Sequence, residues 1–130
     1  MSHYCKFYTY LTDHPIKLKN TPWTLIGDSR AARKTMFYIR ELDIAFDAGI
    51  STDFKPSFVF ISHSHLDHTR ELPSYVLEPN PELNIIVPKP SQELISNFID
   101  AAICMTKHRH TKKDSHKTNY KVLVEYLRFH

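Results

Sequence analysis

Phe58-Val59-Phe60-Ile61-Ser62-His63-Ser64-His65-Leu66-Asp67-His68 is the stretch whose reading decides the fold. Its first four residues are apolar with no polar alternation, which predicts a β-strand covered on both faces. Directly behind it, His63, His65, Asp67 and His68 place three imidazoles and one carboxylate within six residues. These are the groups that bind Zn²⁺ and similar divalent ions through nitrogen and oxygen. In an extended segment alternate side chains point the same way, so His63 and His65 are expected to converge on one ion. Asp67 and His68 then turn toward a second. Two ions a few ångströms apart can clamp the attacking and leaving oxygens of a phosphodiester and make water a nucleophile near neutral pH. The plainer alternative is a polar surface loop with scattered histidines.

Outward from this stretch, short strands dominate the N-terminal side. Residues 3–11 alternate loosely and suit an edge strand, and turns follow at Asp13, Pro15, Asn20 and Pro22. Residues 23–27 read as a strand ending at Gly27, and the polar segment 28–34 as a hairpin connection. Residues 35–39 and 42–46 read as two further strands joined by Arg40-Glu41, the second ending in Asp47-Ala48-Gly49.

On the C-terminal side, residues 69–76 suit a short helix interrupted by Pro73, and residues 84–87 a strand closed by Pro88. The clearest helix is 91–105, with Ser91 as N-cap and Leu94, Ile95, Phe98, Ile99, Ala102 and Ile103 on one apolar face. Residues 106–119 form a basic loop, and residues 120–129 return to a strand pattern. There is no internal repeat and no linker, so the expectation is a single α/β domain over 1–130: a mixed sheet with the 91–105 helix packed on it.

Composition fits a soluble globular chain, with 42% apolar and 24% charged residues. Only Gly27 and Gly49 occur where average usage gives roughly nine glycines, so tight turns must lean on the eight prolines and on Asn and Asp. The net charge of +3 is compatible with an anionic substrate without requiring one. Cys5 and Cys104 stand far apart with no metal-type spacing and read as thiols of a reducing compartment, a disulfide being the other option. The N-terminus lacks the apolar core of a signal peptide and no run reaches transmembrane length. The expected location is cytoplasmic or nuclear, with no membrane contact.

Arg30, Arg33 and Lys34 cluster between two strands and read as a solvated hairpin tip or, as the family resemblance given below implies, as contacts for an RNA backbone. The 107–117 segment carries more positive charge but no aromatic stacking platform, so it too suits backbone contact only. His108, His110 and His116 in that loop read as solvated surface residues.

His63, His65, Asp67 and His68 match the His-x-His-x-Asp-His pattern of the metallo-β-lactamase superfamily. More particularly, Trp23-Thr24-Leu25-Ile26-Gly27-Asp28-Ser29, Leu42-Asp43-Ile44-Ala45-Phe46-Asp47-Ala48-Gly49, the 60–68 stretch, Leu72-Pro73 and Ile85-Ile86-Val87-Pro88 resemble the N-terminal half of ribonuclease Z, in its short plant-like form. The resemblance covers roughly residues 22–105. It implies the first half of an αβ/βα sandwich and a zinc-dependent endonuclease that removes 3′ trailers from precursor tRNA, with two Zn²⁺ per complete site. His63 and His65 would bind one zinc and Asp67 and His68 the other. Asp67 would also accept a proton from the attacking water, and Asp47 would sit behind the ligands and orient an imidazole. A turn residue before Gly49 is the other reading of Asp47.

Two departures from the family are visible. Arg70-Glu71 stands where a glycine pair is usual, and could crowd the substrate approach or shift the helix. The family also brings a further His, a bridging Asp and a final His from its second half. Nothing after residue 119 supplies all of these, although His130 could stand for one histidine. A half sandwich leaves an apolar sheet face to be covered by a second chain or a homodimer partner. The alternatives to an active enzyme are a truncated, inactive remnant that binds metal or a partner chain, and another hydrolase chemistry of the same superfamily.

Overall fold

A computed structural model of the chain describes residues 11–77, 83–107 and 120–125. Within them, seven strands form one mixed sheet in chain order: β1 (Ile16–Lys17), β2 (Thr24–Arg30), β3 (Lys34–Ile39), β4 (Ile44–Phe46), β5 (Phe58–Phe60), β6 (Leu83–Pro88) and β7 (Tyr120–Glu125). β1 to β4 run antiparallel through tight turns, and β4 to β7 run parallel. Parallel neighbours need crossovers. The short helices α1 (Leu66–Thr69) and α2 (Leu72–Leu77) lie in the β5–β6 crossover, and α3 (Gln92–Thr106) lies in the β6–β7 crossover. The α/β class and mixed sheet expected from the sequence are present.

The core follows from one transverse row of residues. Ile26 pairs with Tyr38, Tyr38 with Ala45, Ala45 with Val59, Val59 with Ile85 and Ile85 with Val122. Against this row pack Leu72 and Tyr75 of α2 and Ile95, Ile99 and Ile103 of α3. The next row faces the other way: Phe37, Phe46, Phe60 and Ile86 are cross-strand partners and none is buried. Phe46 and Phe60 stack with ring centroids 5.7 Å apart. Phe46 and Phe58 are about 40% exposed, so β5 is covered on one face and not on both. An apolar run hides the period of two, because Phe on the open face looks like core in sequence.

Other boundaries shift for identifiable reasons. β2 runs past Gly27 to Arg30, and the connection to β3 shrinks to residues 31–33. Gly27 is a strand interior where backbones approach closely: a Cβ there would lie 2.2 Å from the Met36 carbonyl oxygen and 2.6 Å from the Phe37 ring. Leu42 and Asp43 belong to a turn rather than to β4. The helix predicted over 69–76 is two helices broken at Arg70-Glu71. Pro73 does not interrupt them; it occupies the first turn of α2, where no N–H is needed. At α3, Ser91 ends a 3₁₀ turn (Lys89–Ser91) and makes no side-chain capping bond, and Leu94 is exposed at 62%. The remainder of the predicted 91–105 face is confirmed at Ile95, Ile99 and Ile103, which are buried. The strand predicted for residues 3–11 has its first eight residues outside the described ones, and Leu11 lies in a helical turn. Cys5, His108, His110, His116 and His130 also lie outside the described residues, while Cys104 is half-buried in α3.

Scarce glycine leaves the left-handed turn positions to other residues. Positive φ occurs at Asn20, Ala32, Asp43 and Asp47 and at neither glycine. Three of these four are Asn or Asp, the L-residues that tolerate this region best. Asp43 uses its side chain as well: one carboxylate oxygen accepts from Tyr38 Oη, the other from Ser57 Oγ at 2.7 Å. Its carbonyl accepts the Ser57 N–H at 3.0 Å. The single turn thus anchors β3 to the segment entering β5.

Among the described residues no helix is long and apolar enough to cross a membrane.

Burial, together with the bond to Asp43, pushes the Tyr38 phenol well above its ordinary value of 10. Its neutral form is the one that folding favours, so its contribution is complete below pH 10 and is lost as pH rises through the folded value. Tyr38→Phe is expected to cost about 1.5–3 kcal/mol near neutral pH, the worth of a hydrogen bond to a charged acceptor. It should also flatten the alkaline fall in stability. Urea unfolding of both proteins across alkaline pH checks both outcomes.

Candidate metal centre

The site lies at the C-terminal ends of β4 and β5, where open α/β sheets characteristically bind ligands. β4 ends at Phe46, and the chain turns at once through Asp47, whose φ of 62° is left-handed. That turn aims the Asp47 side chain across to the end of β5, and Asp47 is only 7% exposed. Its backbone N–H donates to the Phe60 carbonyl at 2.8 Å. Its carboxylate accepts the Ser62 N–H at 2.8 Å, the Ser62 hydroxyl at 2.9 Å and the His68 Nδ1–H at 2.9 Å.

The next two residues fasten the same segment to the histidine loop. Ala48 N–H donates to the His68 carbonyl at 2.7 Å, and Glu71 N–H donates to the Ala48 carbonyl at 2.9 Å. Gly49 lies so close to the loop that a Cβ would stand 1.7 Å from the Asp67 carbonyl oxygen. Only glycine permits that approach. Gly49 N–H turns back to the Thr35 carbonyl at 2.9 Å, tying β3 into the joint.

The histidine segment is extended only as far as His65. Leu66, Asp67 and His68 already belong to α1, whose Thr69 hydroxyl donates back to the His65 carbonyl at 3.1 Å. Simple alternation therefore does not decide where the last two ligands point. The side chains gather nonetheless: the His63 ring lies 4.5 Å from the His65 ring and 4.0 Å from the His68 ring, centroid to centroid. Asp67 Oδ2 stands 3.3 Å from His68 Nε2. His65 is exposed, and Asp67 and His68 have side chains 12% and 15% exposed.

Hydrogen bonding assigns the ring nitrogens. A carboxylate only accepts, so His68 carries a proton on Nδ1, and Nε2 is the ring nitrogen left to face a ligand. Ser62 has one proton, which goes to Asp47. Its oxygen, 3.0 Å from His63 Nδ1, is then an acceptor for that nitrogen. Both imidazoles thus have Nδ1 engaged, directly or through Ser62, by one buried carboxylate, and Nε2 available to a ligand.

The donor set fits zinc. Three imidazoles and a carboxylate are its usual nitrogen and oxygen ligands, and a carboxylate behind the imidazoles is its usual support. Zn–N and Zn–O bonds of about 2.0–2.1 Å place neighbouring ligand atoms of a tetrahedron about 3.3–3.4 Å apart. The 3.3 Å between His68 Nε2 and Asp67 Oδ2 matches that spacing. Two acceptors facing each other so closely need a shared cation, proton or metal, between them. Among the described residues no three such groups are gathered on one point.

Nothing in the local sequence assigns a role to Ser62 or Gly49. The position of Ser62, between the strand and the first histidine, is the one signal that it could reach back to the strand end. Arg70 and Glu71 form the turn between α1 and α2, and they line one cleft with Gly49 and with Arg30, Arg33 and Lys34 of the β2–β3 hairpin. No protein-family model matches the chain, and no curated protein is similar to it.

Asp47→Asn keeps a residue suited to φ 62° but removes the charge and one acceptor oxygen. It is expected to cost about 1–3 kcal/mol, the range for unsatisfied buried donors, and Asp47→Ala more, because alanine also strains the turn. Gly49→Ala should do greater damage than either, since its Cβ meets backbone. Chemical denaturation of the three variants checks this order.

Proposed function

We propose that the chain carries one side of the active site of a zinc-dependent phosphodiesterase of the metallo-β-lactamase type, related to ribonuclease Z and acting on RNA. The observation that carries this reading is the joint at Asp47: a buried carboxylate at the end of a parallel strand holds Nδ1 of His68 and, through Ser62, that of His63. An ordinary polar loop has no reason to bury a carboxylate in order to orient two imidazoles. Asp47 therefore serves as the orienting residue, and the turn reading of it is complementary, since its left-handed φ performs both tasks.

His63 and His65 would hold one zinc, and Asp67 and His68 a second. Bound there, zinc supplies Lewis acidity, polarising a phosphoryl oxygen and making water nucleophilic near neutral pH. The chain's own part is to orient the imidazoles through Asp47 and Ser62, and to take a proton from the attacking water at the Asp67 carboxylate. By the family resemblance the remaining His, Asp and His come from a second half of an αβ/βα sandwich, supplied by further protein, a partner chain or a second copy. The open sheet face supports that cover: Phe46 and Phe58 are too exposed for a finished core. The expected substrate is precursor tRNA, encountered in the cytoplasm or nucleus.

A second reading rests on the same apolar face: a remnant that binds metal or a partner chain without turnover. Metal analysis joined to an activity assay separates the two. Two zinc ions per chain, with cleavage of precursor tRNA that disappears on chelation and returns with zinc, is the expected result. Tight zinc binding without cleavage of any RNA favours the remnant. Parallel assays on thioester and cyclic-nucleotide substrates test the other chemistries of the superfamily.

His65→Ala is expected to lower the zinc content by at least one ion per chain while leaving the fold intact, because His65 is exposed. Elemental analysis of the purified variant checks this. Unchanged zinc content would remove His65 from the ligand set.

A further inference from the structure

The cleft between the β2–β3 hairpin and the α1–α2 turn is a second cluster of charged groups, outside the proposed metal ligands. It has a volume of about 390 Å³, and Arg30, Arg33, Lys34, Arg70 and Glu71 line it above Gly49. Arg30 and Lys34 are the closing pair of the hairpin, directly opposite one another in the ladder. Like charges in that position repel and weaken the pairing. Asp28 lies between them, at 3.8 Å from Arg30 Nε and 3.9 Å from Lys34 Nζ. Burial lowers the Lys34 ammonium below its ordinary range, with Asp28 opposing and Arg30 adding to the shift.

Across the cleft, Arg70 is exposed and is steadied by its Nε donating to the Leu66 carbonyl at 3.4 Å. Glu71 is held to its own helix by Ser74 Oγ at 3.3 Å. Four cations against Asp28 and Glu71 leave the cleft with a net positive charge. Gly49, one of its lining residues, packs so closely on the histidine loop that a Cβ would meet the Asp67 carbonyl oxygen.

We propose that this cleft is a phosphate subsite that takes one phosphodiester of an RNA strand beside the metal centre. The carrier of the phosphate rests on the phosphodiesterase reading, whereas the anion specificity rests on the cleft alone. Arg33 and Arg70 approach the phosphate from the two walls. Guanidinium groups suit that task because their donors match phosphate oxygens in pairs.

The test measures binding of a labelled single-stranded oligouridylate to the whole chain over a salt series, with EDTA present. Arg33→Gln and Arg70→Gln are each expected to weaken binding and to reduce the slope of log K against log salt by about 0.7, the value per phosphate on a single strand. Both residues are exposed, so neither change threatens the fold. Lys17→Gln, on the exposed strand β1, should leave the slope unaltered. Slopes unchanged in both arginine variants, or lowered equally by Lys17→Gln, overturn the subsite. Since the assay excludes metal, failure here with zinc uptake and cleavage intact removes only the subsite. Altered slopes without any zinc uptake remove only the metal reading.

Discussion

The contact on which the site depends is the one between the end of β4 and the histidine loop. It consists of a buried carboxylate, two backbone hydrogen bonds through Ala48, and a glycine pressed against the Asp67 carbonyl. Each acts on a different degree of freedom. The Ala48 bonds fix where α1 ends relative to the sheet, Gly49 fixes how closely it approaches, and Asp47 fixes the rotation of the imidazoles. Loops are normally the mobile parts of a fold. This one is tied to strands on two sides, β4 through Asp47 to Gly49 and β3 through the Gly49 bond to Thr35.

Such a joint explains how a chain with two glycines builds its turns. Of the four described positions with a left-handed backbone, Ala32 takes one and Asn20, Asp43 and Asp47 the others, and the side chain finds further use at the two aspartates. Glycine is reserved for the two places where no Cβ fits at all, Gly27 under Phe37 and Gly49 against Asp67. At Asp47 the economy has a chemical consequence. A glycine there would make the turn more easily, but would leave Ser62 and His68 without their acceptor.

Much of this was legible in the sequence because it is local. The strand 58–61, the ligand-type residues 63, 65, 67 and 68, the carboxylate at 47 and the helix over 91–105 all announce themselves within a few residues. What stayed hidden is what two distant segments do together. Ser62 looks like a spacer until Asp47 is seen 2.8 Å from its N–H. Gly49 looks like a turn until Asp67 is seen beside it. The face of β5 was misjudged because Phe58 and Phe60 satisfy a hydrophobic reading whether or not anything covers them. Arg70 could not be joined to Arg33 without knowing that α1 and the β2–β3 hairpin meet at the edge of β3.

The two faces of the sheet therefore do different work at the same end. The helix side is closed by Leu72, Tyr75, Ile95 and Ile99 and needs nothing further. The open side carries a groove of about 390 Å³, with Phe46, Phe60, Ile86 and Pro88 along it and Asp47 and Ser62 at its polar end. A second layer laid over the phenylalanines would exclude water from that groove, and in doing so would lower the dielectric around the Asp47–His68 pair. Charge interactions strengthen as water leaves. Covering the apolar face and sharpening the electrostatics of the histidine site are thus one event.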